Sequence, residues 1–249
     1  MADDAVQRES MEYDLVIVGG GPAGLSAAIR AKQLAQEAGE DIEVVVIEKG
    51  GEIGAHILSG VVMDPVGLDK LIPGWRERDD RPLKTEVTGD KFKFLGPKGE
   101  ADISWLPMPG FMKNHGNYTG SLANVARWLG QEAENMGVEI FPGFAASDLV
   151  LGENGEVKGI VAGVMGIAAD GTHKSDYEPG MELLGKYVLF AEGARGSLTK
   201  QLIAKYNLDE GRDPQKFGLG LKELWSIPEE QFNEGYVQHT MGWPLDNST

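Results

Sequence analysis

A run of β-branched residues that ends abruptly in glycines, VIVGGGPAGL from Val16 to Leu25, leaves few folds open to this chain. Asp14 to Val18 reads as a short strand buried on both faces. From Ala23 to about Ala38 the pattern turns helical, with Leu25, Ile29 and Leu34 near helical spacing and Gly39 at the stop. Ile42 to Ile47 (IEVVVI) is a second buried strand. Strand, helix and strand within roughly 35 residues make a right-handed parallel unit, the start of a doubly wound sheet.

Within that unit Gly19, Gly21 and Gly24 form G-x-G-x-x-G, placed after a strand and opening a helix. Gly19 permits the tight turn, Gly21 lets the backbone approach a pyrophosphate, and Gly24 lets helix and strand pack closely. The helix start, through Pro22 and Ala23, aims free amides at the phosphates. A purely structural glycine turn needs no acid at the end of the second strand, whereas a dinucleotide site uses one to accept hydrogen bonds from ribose hydroxyls. Glu48 stands there, and its charge opposes the 2′-phosphate of NADP. The motif does not decide between FAD and NAD.

Composition closes other routes. Lys and Arg number 23 and Asp and Glu 39, a formal charge of −16, so no basic surface recommends nucleic acid as a partner. There is no cysteine, which excludes disulfides, thiol catalysis and cysteine-ligated iron–sulfur or zinc centres within these 249 residues. Residues 1–11 read as a disordered lead-in and not a signal peptide, which points to a cytoplasmic-side protein. The longest uncharged stretch, Leu15 to Ile29, is shorter than the roughly 18 residues of a spanning helix and is broken by glycines, so no transmembrane helix is expected.

Farther along, Val61 to Met112 is cut by Pro65, Pro73, Pro82, Pro97, Pro107 and Pro109 into short strands and an extended loop. Ser121 to Met136 is an amphipathic helix stopped by Gly137, and Val138 to Phe141 a short strand. Asp148 to Leu151 and Val157 to Val164, turning at Asn154-Gly155, read as an inserted hairpin at about 148–168. Tyr187 to Ala191 returns to the buried-strand pattern, and after Tyr206 the composition changes. The fold class is expected to be α/β: a Rossmann-like dinucleotide-binding domain with a parallel sheet, formed by 12–65 and 113–205, with 66–112 and 206–249 as parts of an incomplete, β-rich substrate domain.

The residues after Glu48, EKGGEIGAHILSG, resemble the FAD-binding superfamily that includes aromatic hydroxylases and geranylgeranyl reductases. In LFAEGARGSLTKQL, Glu192-Gly193-Ala194 occupies the Asp-Gly position that in that superfamily meets the ribityl and pyrophosphate region, with Glu in place of the usual Asp. The stretches GAHILSGVVMDP, NHGNY, WLGQEAENMGVEIFPGFAA, FAEGARGSLTKQL, FGLGLKELW and HTMGWPLD together resemble the electron-transfer flavoprotein:ubiquinone oxidoreductase family, from about Glu12 to Thr249. That resemblance implies an FAD that takes electrons from reduced electron-transfer flavoprotein, a [4Fe-4S] cluster, and delivery to ubiquinone at a membrane. It places FAD against Gly19, Gly21, Pro22, Ala23, Gly24, Glu48, Lys49, Gly54, Ala55, His56, Ser59, Gly60, Ala145, Glu192, Gly193 and Ala194. The family's cluster cysteines and quinone contacts correspond to positions beyond Thr249, so the chain is expected to be an N-terminal part of such an enzyme.

His56, His115, His173 and His239 lack metal-ligand spacing, and no metal site is expected. Ile103 to Met112 (ISWLPMPGFM) is uncharged and rich in aromatic, Met and Pro residues; it is either core or a surface that dips into a lipid monolayer or lines a quinone channel. The resemblance makes the protein peripheral to a membrane, on the cytoplasmic face of the inner membrane if bacterial, or soluble as a fragment. Two other functions remain open: an NAD(P)H-dependent flavin reductase or hydroxylase of an apolar small molecule, and a fragment that only binds FAD.

Overall fold

The computed structural model of the chain describes residues 7–244. In chain order the elements are β1 (Glu9–Val18), α1 (Pro22–Ala38), β2 (Val44–Glu48), β3 (Val61–Met63), α2 (Val66–Leu71), β4 (Thr85–Glu86), β5 (Gly89–Gly96), β6 (Gly99–Asp102), β7 (Tyr118–Gly120), α3 (Leu122–Asn135), β8 (Glu139–Pro142), β9 (Ala146–Leu151), β10 (Val157–Ala162), β11 (Met165–Ile167), β12 (His173–Glu178), β13 (Met181–Phe190), α4 (Ser197–Tyr206) and β14 (Tyr236–Gly242). They divide into two compact units, residues 1–57 with 123–220 and residues 58–122 with 221–249. The crossings fall at Leu58, Ala123 and Leu221, where the sequence suggests 66, 113 and 206. The residues after Leu58 pass to the second unit because β3 pairs antiparallel with β7. Residues up to Gly220 stay with the first because Arg195 lies over the Phe217 ring and Gln215 Nε2 donates to the Ala194 carbonyl at 3.2 Å.

The first unit is built on a six-stranded sheet in the order β8-β2-β1-β13-β10-β9. β8, β2, β1 and β13 run parallel; β10 and β9 extend the sheet antiparallel. Val16, Ile17, Val44, Val45, Val46 and Ile47 are all essentially inaccessible, as a strand covered on both faces requires. Leu25, Ala28 and Ile29 bring the apolar stripe of α1 down onto it. Gly39 ends α1 in a left-handed conformation, φ 73°, and its N–H donates to the Gln36 carbonyl at 3.1 Å. The buried Lys32 ammonium donates to Asp41 at 3.1 Å and to the Ile42 carbonyl at 2.9 Å, so the helix is fastened to the turn that feeds β2.

One expectation changes here. β1 starts at Glu9, paired with Met181, so residues 9–11 belong to the sheet and not to a disordered lead-in; β13 is ten residues long and offers them a partner ladder. Residues 1–6 of that lead-in, and 245–249, lie outside the described residues. The expected hairpin is present as β9 and β10, and Gly159 to Ala162 pair with Met181 to Leu184 and join it to the main sheet. A second hairpin, β11 with β12, follows it.

The second unit contains two three-stranded sheets, β14-β5-β6 and β3-β7-β4. Its region of expected strands and loop also holds α2, which starts where Asp64 accepts the Val66 N–H at 3.0 Å and Pro65 fixes the entry. Trp75 is fully buried, donates to Asp69 at 2.8 Å and meets the Tyr118 ring edge-on at 5.4 Å. The hydrogen bond from Arg76 to Asp69 holds that carboxyl below the usual carboxylate range.

Candidate functional site

The carboxyl ends of β1, β2 and β13 converge on the glycine turn, the end of an open α/β sheet where ligands bind. Gly19 donates to the Ile47 carbonyl at 2.8 Å, and Ala191 donates to the Val18 carbonyl at 2.8 Å, so the turn is laced to both neighbouring strands. Each motif glycine has its own reason. A Cβ on Gly19, φ +112°, would lie 2.4 Å from the Ala191 carbonyl oxygen; one on Gly24 would lie 2.1 Å from the Gly19 carbonyl oxygen. A Cβ on Gly21 would meet nothing within 4 Å. Gly19 and Gly24 are therefore required by the protein's own packing, while Gly21 faces open space, the place a pyrophosphate would take.

The start of α1 fits an anion. Gly21 is its N-cap, Pro22 occupies the first turn, no side chain caps the helix and no acidic residue stands in that turn. Its first amides are therefore left for a ligand, with the favourable end of the helix dipole behind them.

Glu48 is half-buried at the end of β2, and its carboxylate is oriented by backbone amides: Gly20 N–H donates to Oε2 at 3.0 Å and Gly50 N–H to Oε1 at 2.7 Å. Each oxygen keeps a lone pair, so the carboxylate can accept a hydroxyl as well. Gly20, the unconsidered x of the motif, and Gly50 were missed by motif reading; the run of three glycines was the available signal. A side chain at Gly20 would run into Ile53 and into Glu48 itself. Beyond it Gly50 accepts the Gly143 N–H at 2.7 Å, which ties this loop to the exit of β8 near Ala145.

Lys49, Ala55 and His56 are exposed, whereas Gly54 is buried with φ +86°, its missing Cβ 2.8 Å from the Ala123 carbonyl oxygen. Arg127 on α3 meets Glu52 at 3.2 Å, which holds the same loop against the helix. Exposed Ala145 accepts the Gly163 N–H at 3.1 Å. Ser59 and Gly60 belong to the second unit, where Ser59 bonds the Ser121 hydroxyl and Gly60 accepts from Lys222.

The Glu192 carboxylate is engaged within the protein. It accepts the Leu198 N–H at 3.2 Å, the Thr199 N–H at 2.7 Å and the Thr199 hydroxyl at 2.7 Å, which caps α4 from the preceding loop. Gly193, φ +77°, and Ala194 remain exposed at the strand end. Glu192→Ala is expected to cost about 1 kcal/mol, the usual worth of a helix cap, and to speed amide exchange over residues 197–203. Unchanged exchange there would rule the cap out.

A groove of about 650 Å³ in the first unit lies elsewhere, between Glu12, Tyr13, Asp14, Lys158, Glu182 and Lys186, toward the amino ends of the parallel strands. Its position separates it from the glycine turn.

In the second unit Trp105, 78% exposed, and Phe111, 88% exposed, exclude the core reading of ISWLPMPGFM for those side chains. A second apolar stretch, with Leu219, Leu221 and Leu224 almost wholly exposed, precedes β14. Among the described residues no helix is long and apolar enough to cross a membrane.

The fold and the glycine turn define the class, a Rossmann-type dinucleotide-binding protein. Residues 17–84 match the NAD(P)-binding Rossmann-like domain family, and residues 217–249 the ETF-QO ubiquinone-binding family. A geranylgeranyl bacteriochlorophyll reductase-like protein of Thermoplasma acidophilum superposes with a TM-score of 0.56 at 18% identity, covering 94% of this chain and 51% of that one. The THI4 protein of Thermovibrio ammonificans gives 0.51 at 21% identity, covering 79% and 64%. By sequence the chain is related to electron transfer flavoprotein-ubiquinone oxidoreductases. It is 54% identical to the mitochondrial protein of Dictyostelium discoideum over 96% of its length, 53% to that of Pseudomonas aeruginosa over 97%, and 49% to that of Mus musculus over 98%. It spans 39%, 44% and 39% of those relatives, respectively.

Proposed function

We propose that the chain provides the FAD-holding part of an oxidoreductase that passes electrons from reduced electron-transfer flavoprotein to ubiquinone in a respiratory chain. The observation that carries this reading is identity of about one residue in two, over nearly all of the chain, to oxidoreductases named for that reaction. FAD supplies a group that takes and gives electrons singly or in pairs. The chain's own residues hold it: the Gly21 backbone and the free amides of α1 take the pyrophosphate, and Glu48 takes a ribose hydroxyl. Gly193 and Ala194, beside the turn, flank the remainder. A [4Fe-4S] cluster would draw its ligands from outside this cysteine-free sequence.

The test is an absorption spectrum of the chain loaded with FAD, followed anaerobically after addition of reduced electron-transfer flavoprotein and, separately, of NADPH. Bleaching by the flavoprotein alone is the expected result. Bleaching by NADPH alone would transfer the chain to the flavin reductases and hydroxylases.

The same reading makes the loop of Trp105 and Phe111 the contact with the lipid surface in which ubiquinone dissolves, as peripheral attachment needs exposed apolar side chains. Trp105→Glu and Phe111→Glu are each expected to weaken vesicle binding by about tenfold or more without changing FAD binding. Binding equal to wild type in both would remove the loop from the reading.

A further inference from the structure

We infer that Asp90, Asn114 and His239 are positioning residues that hold the apolar loop in a lipid-ready form, an inference that rests on the lipid-facing reading of that loop. The loop leaves β6 at Ile103 and ends at Asn114, and both ends return to one strand, β5. At the first end the Ile103 N–H donates to the Phe92 carbonyl at 2.9 Å, and the Phe92 N–H donates to the Ser104 hydroxyl at 2.9 Å. The Ser104 N–H donates to Asp102 at 2.9 Å; hydrogen bonds from Ser104 and from Lys91 hold the Asp102 carboxyl well below the usual carboxylate range.

At the second end Asp90, two residues before Phe92, accepts the Asn114 N–H at 2.9 Å and the Asn114 side-chain amide at 3.2 Å. The same amide lies 2.9 Å from His239 Nε2, which accepts in the tautomer protonated on Nδ1, and Asn114 Oδ1 accepts from Asn117 at 3.3 Å. His239 is itself fixed, stacked on Phe92 at 4.5 Å and paired in register with it across β5 and β14. Every polar atom of the Asn114 side chain is thus engaged, and its partners sit on strands and on the following turn. Between these two clamps Trp105 and Phe111 stand exposed.

A free ten-residue apolar segment in water would bury its aromatic rings against one another. Held at both ends, it presents them outward and carries part of the ordering cost of insertion before lipid is met. The clamp touches no lipid itself; its effect passes through the loop.

The absence of cysteine allows a clean probe. Phe111→Cys is labelled with an environment-sensitive fluorophore and titrated with phosphatidylcholine vesicles containing a minor fraction of phosphatidylglycerol, while amide exchange of residues 104–113 is followed without lipid. Asn114→Ala in this background should weaken partitioning about tenfold, the scale of one charge-assisted hydrogen bond, and speed exchange in the loop. Asn114→Asp, which faces Asp90 with a second carboxylate, should do the same, and Asp90→Asn added to Asn114→Asp should recover both because the exchanged pair regains a donor and an acceptor. Partitioning and exchange unchanged in Asn114→Ala, or no recovery in the exchanged pair, would overturn the inference while leaving the loop's lipid role intact. Wild-type partitioning in Trp105→Glu and Phe111→Glu would instead overturn the lipid role, and the inference with it.

Discussion

Gly21→Ala should yield a chain that folds as the wild type and has lost FAD, whereas Gly19→Ala and Gly24→Ala should fail at the level of the fold. The difference comes from what a single added methyl meets. At Gly21 it enters open space within the protein and would be resisted only by a ligand; at Gly19 and Gly24 it would lie 2.4 Å and 2.1 Å from backbone carbonyl oxygens that cannot rotate away. Gly19 also holds φ +112°, which a side chain adopts only under strain of about 1–3 kcal/mol, and overpacking at either site adds a further 1–3 kcal/mol or so. Denaturant unfolding of the apo chain and FAD titration by flavin fluorescence separate the two effects. Unfolding should be unchanged for Gly21→Ala while FAD affinity falls at least about a hundredfold, the scale of about 3 kcal/mol. If Gly21→Ala retained wild-type affinity, the pyrophosphate would have to be placed elsewhere.

That contrast also marks how far the sequence could be read. β1, α1, β2, α3, β8 and the end of β13 were legible because buried parallel strands and an amphipathic helix leave short-range patterns, and glycines such as Gly39 and Gly137 mark their ends. The parallel pairing of β5 with β14 was not legible, since it joins Gly89 to Tyr236 across most of the chain and no local pattern encodes a partner so remote. α2 was hidden by the prolines around it, one of which forms its entry. Within the site, the structure brings the motif's Gly19, Gly21 and Gly24 together with Glu48 at one turn. The motif said nothing of Gly20 and Gly50, whose contribution is a backbone N–H and therefore leaves no trace in side-chain chemistry. Glu192 marks a further limit: its carboxylate accepts from the amides of α4, partners that only three-dimensional placement could reveal.

Glu48→Ala is expected to be the most damaging change that alters neither a glycine nor the hydrophobic core. The carboxylate joins two loops, since the Gly20 amide of the glycine turn and the Gly50 amide of the loop after β2 both donate to it. Phe144 N–H donates to the Glu48 carbonyl at 3.0 Å and Gly143 N–H to that of Gly50 at 2.7 Å, so the exit of β8 depends on the same short segment. Truncation leaves the amides of two buried glycines without their charged acceptor, a loss of about 3 kcal/mol when each such bond is worth roughly 1.5 kcal/mol or more. For a chain of this size that lowers the unfolding temperature by about 6–12 °C. FAD affinity should fall further than the instability explains, because the ribose hydroxyl loses its acceptor at the same stroke. Glu48→Gln separates the two roles: it keeps the length and one carbonyl oxygen, so one amide remains satisfied, while its NH₂ opposes the other. An unfolding temperature between those of wild type and Glu48→Ala, with FAD binding as weak as in Glu48→Ala, is the expected pattern. If apo Glu48→Ala unfolded at the wild-type temperature, the carboxylate would not be bracing the two loops, and its part at this site would be confined to the ligand.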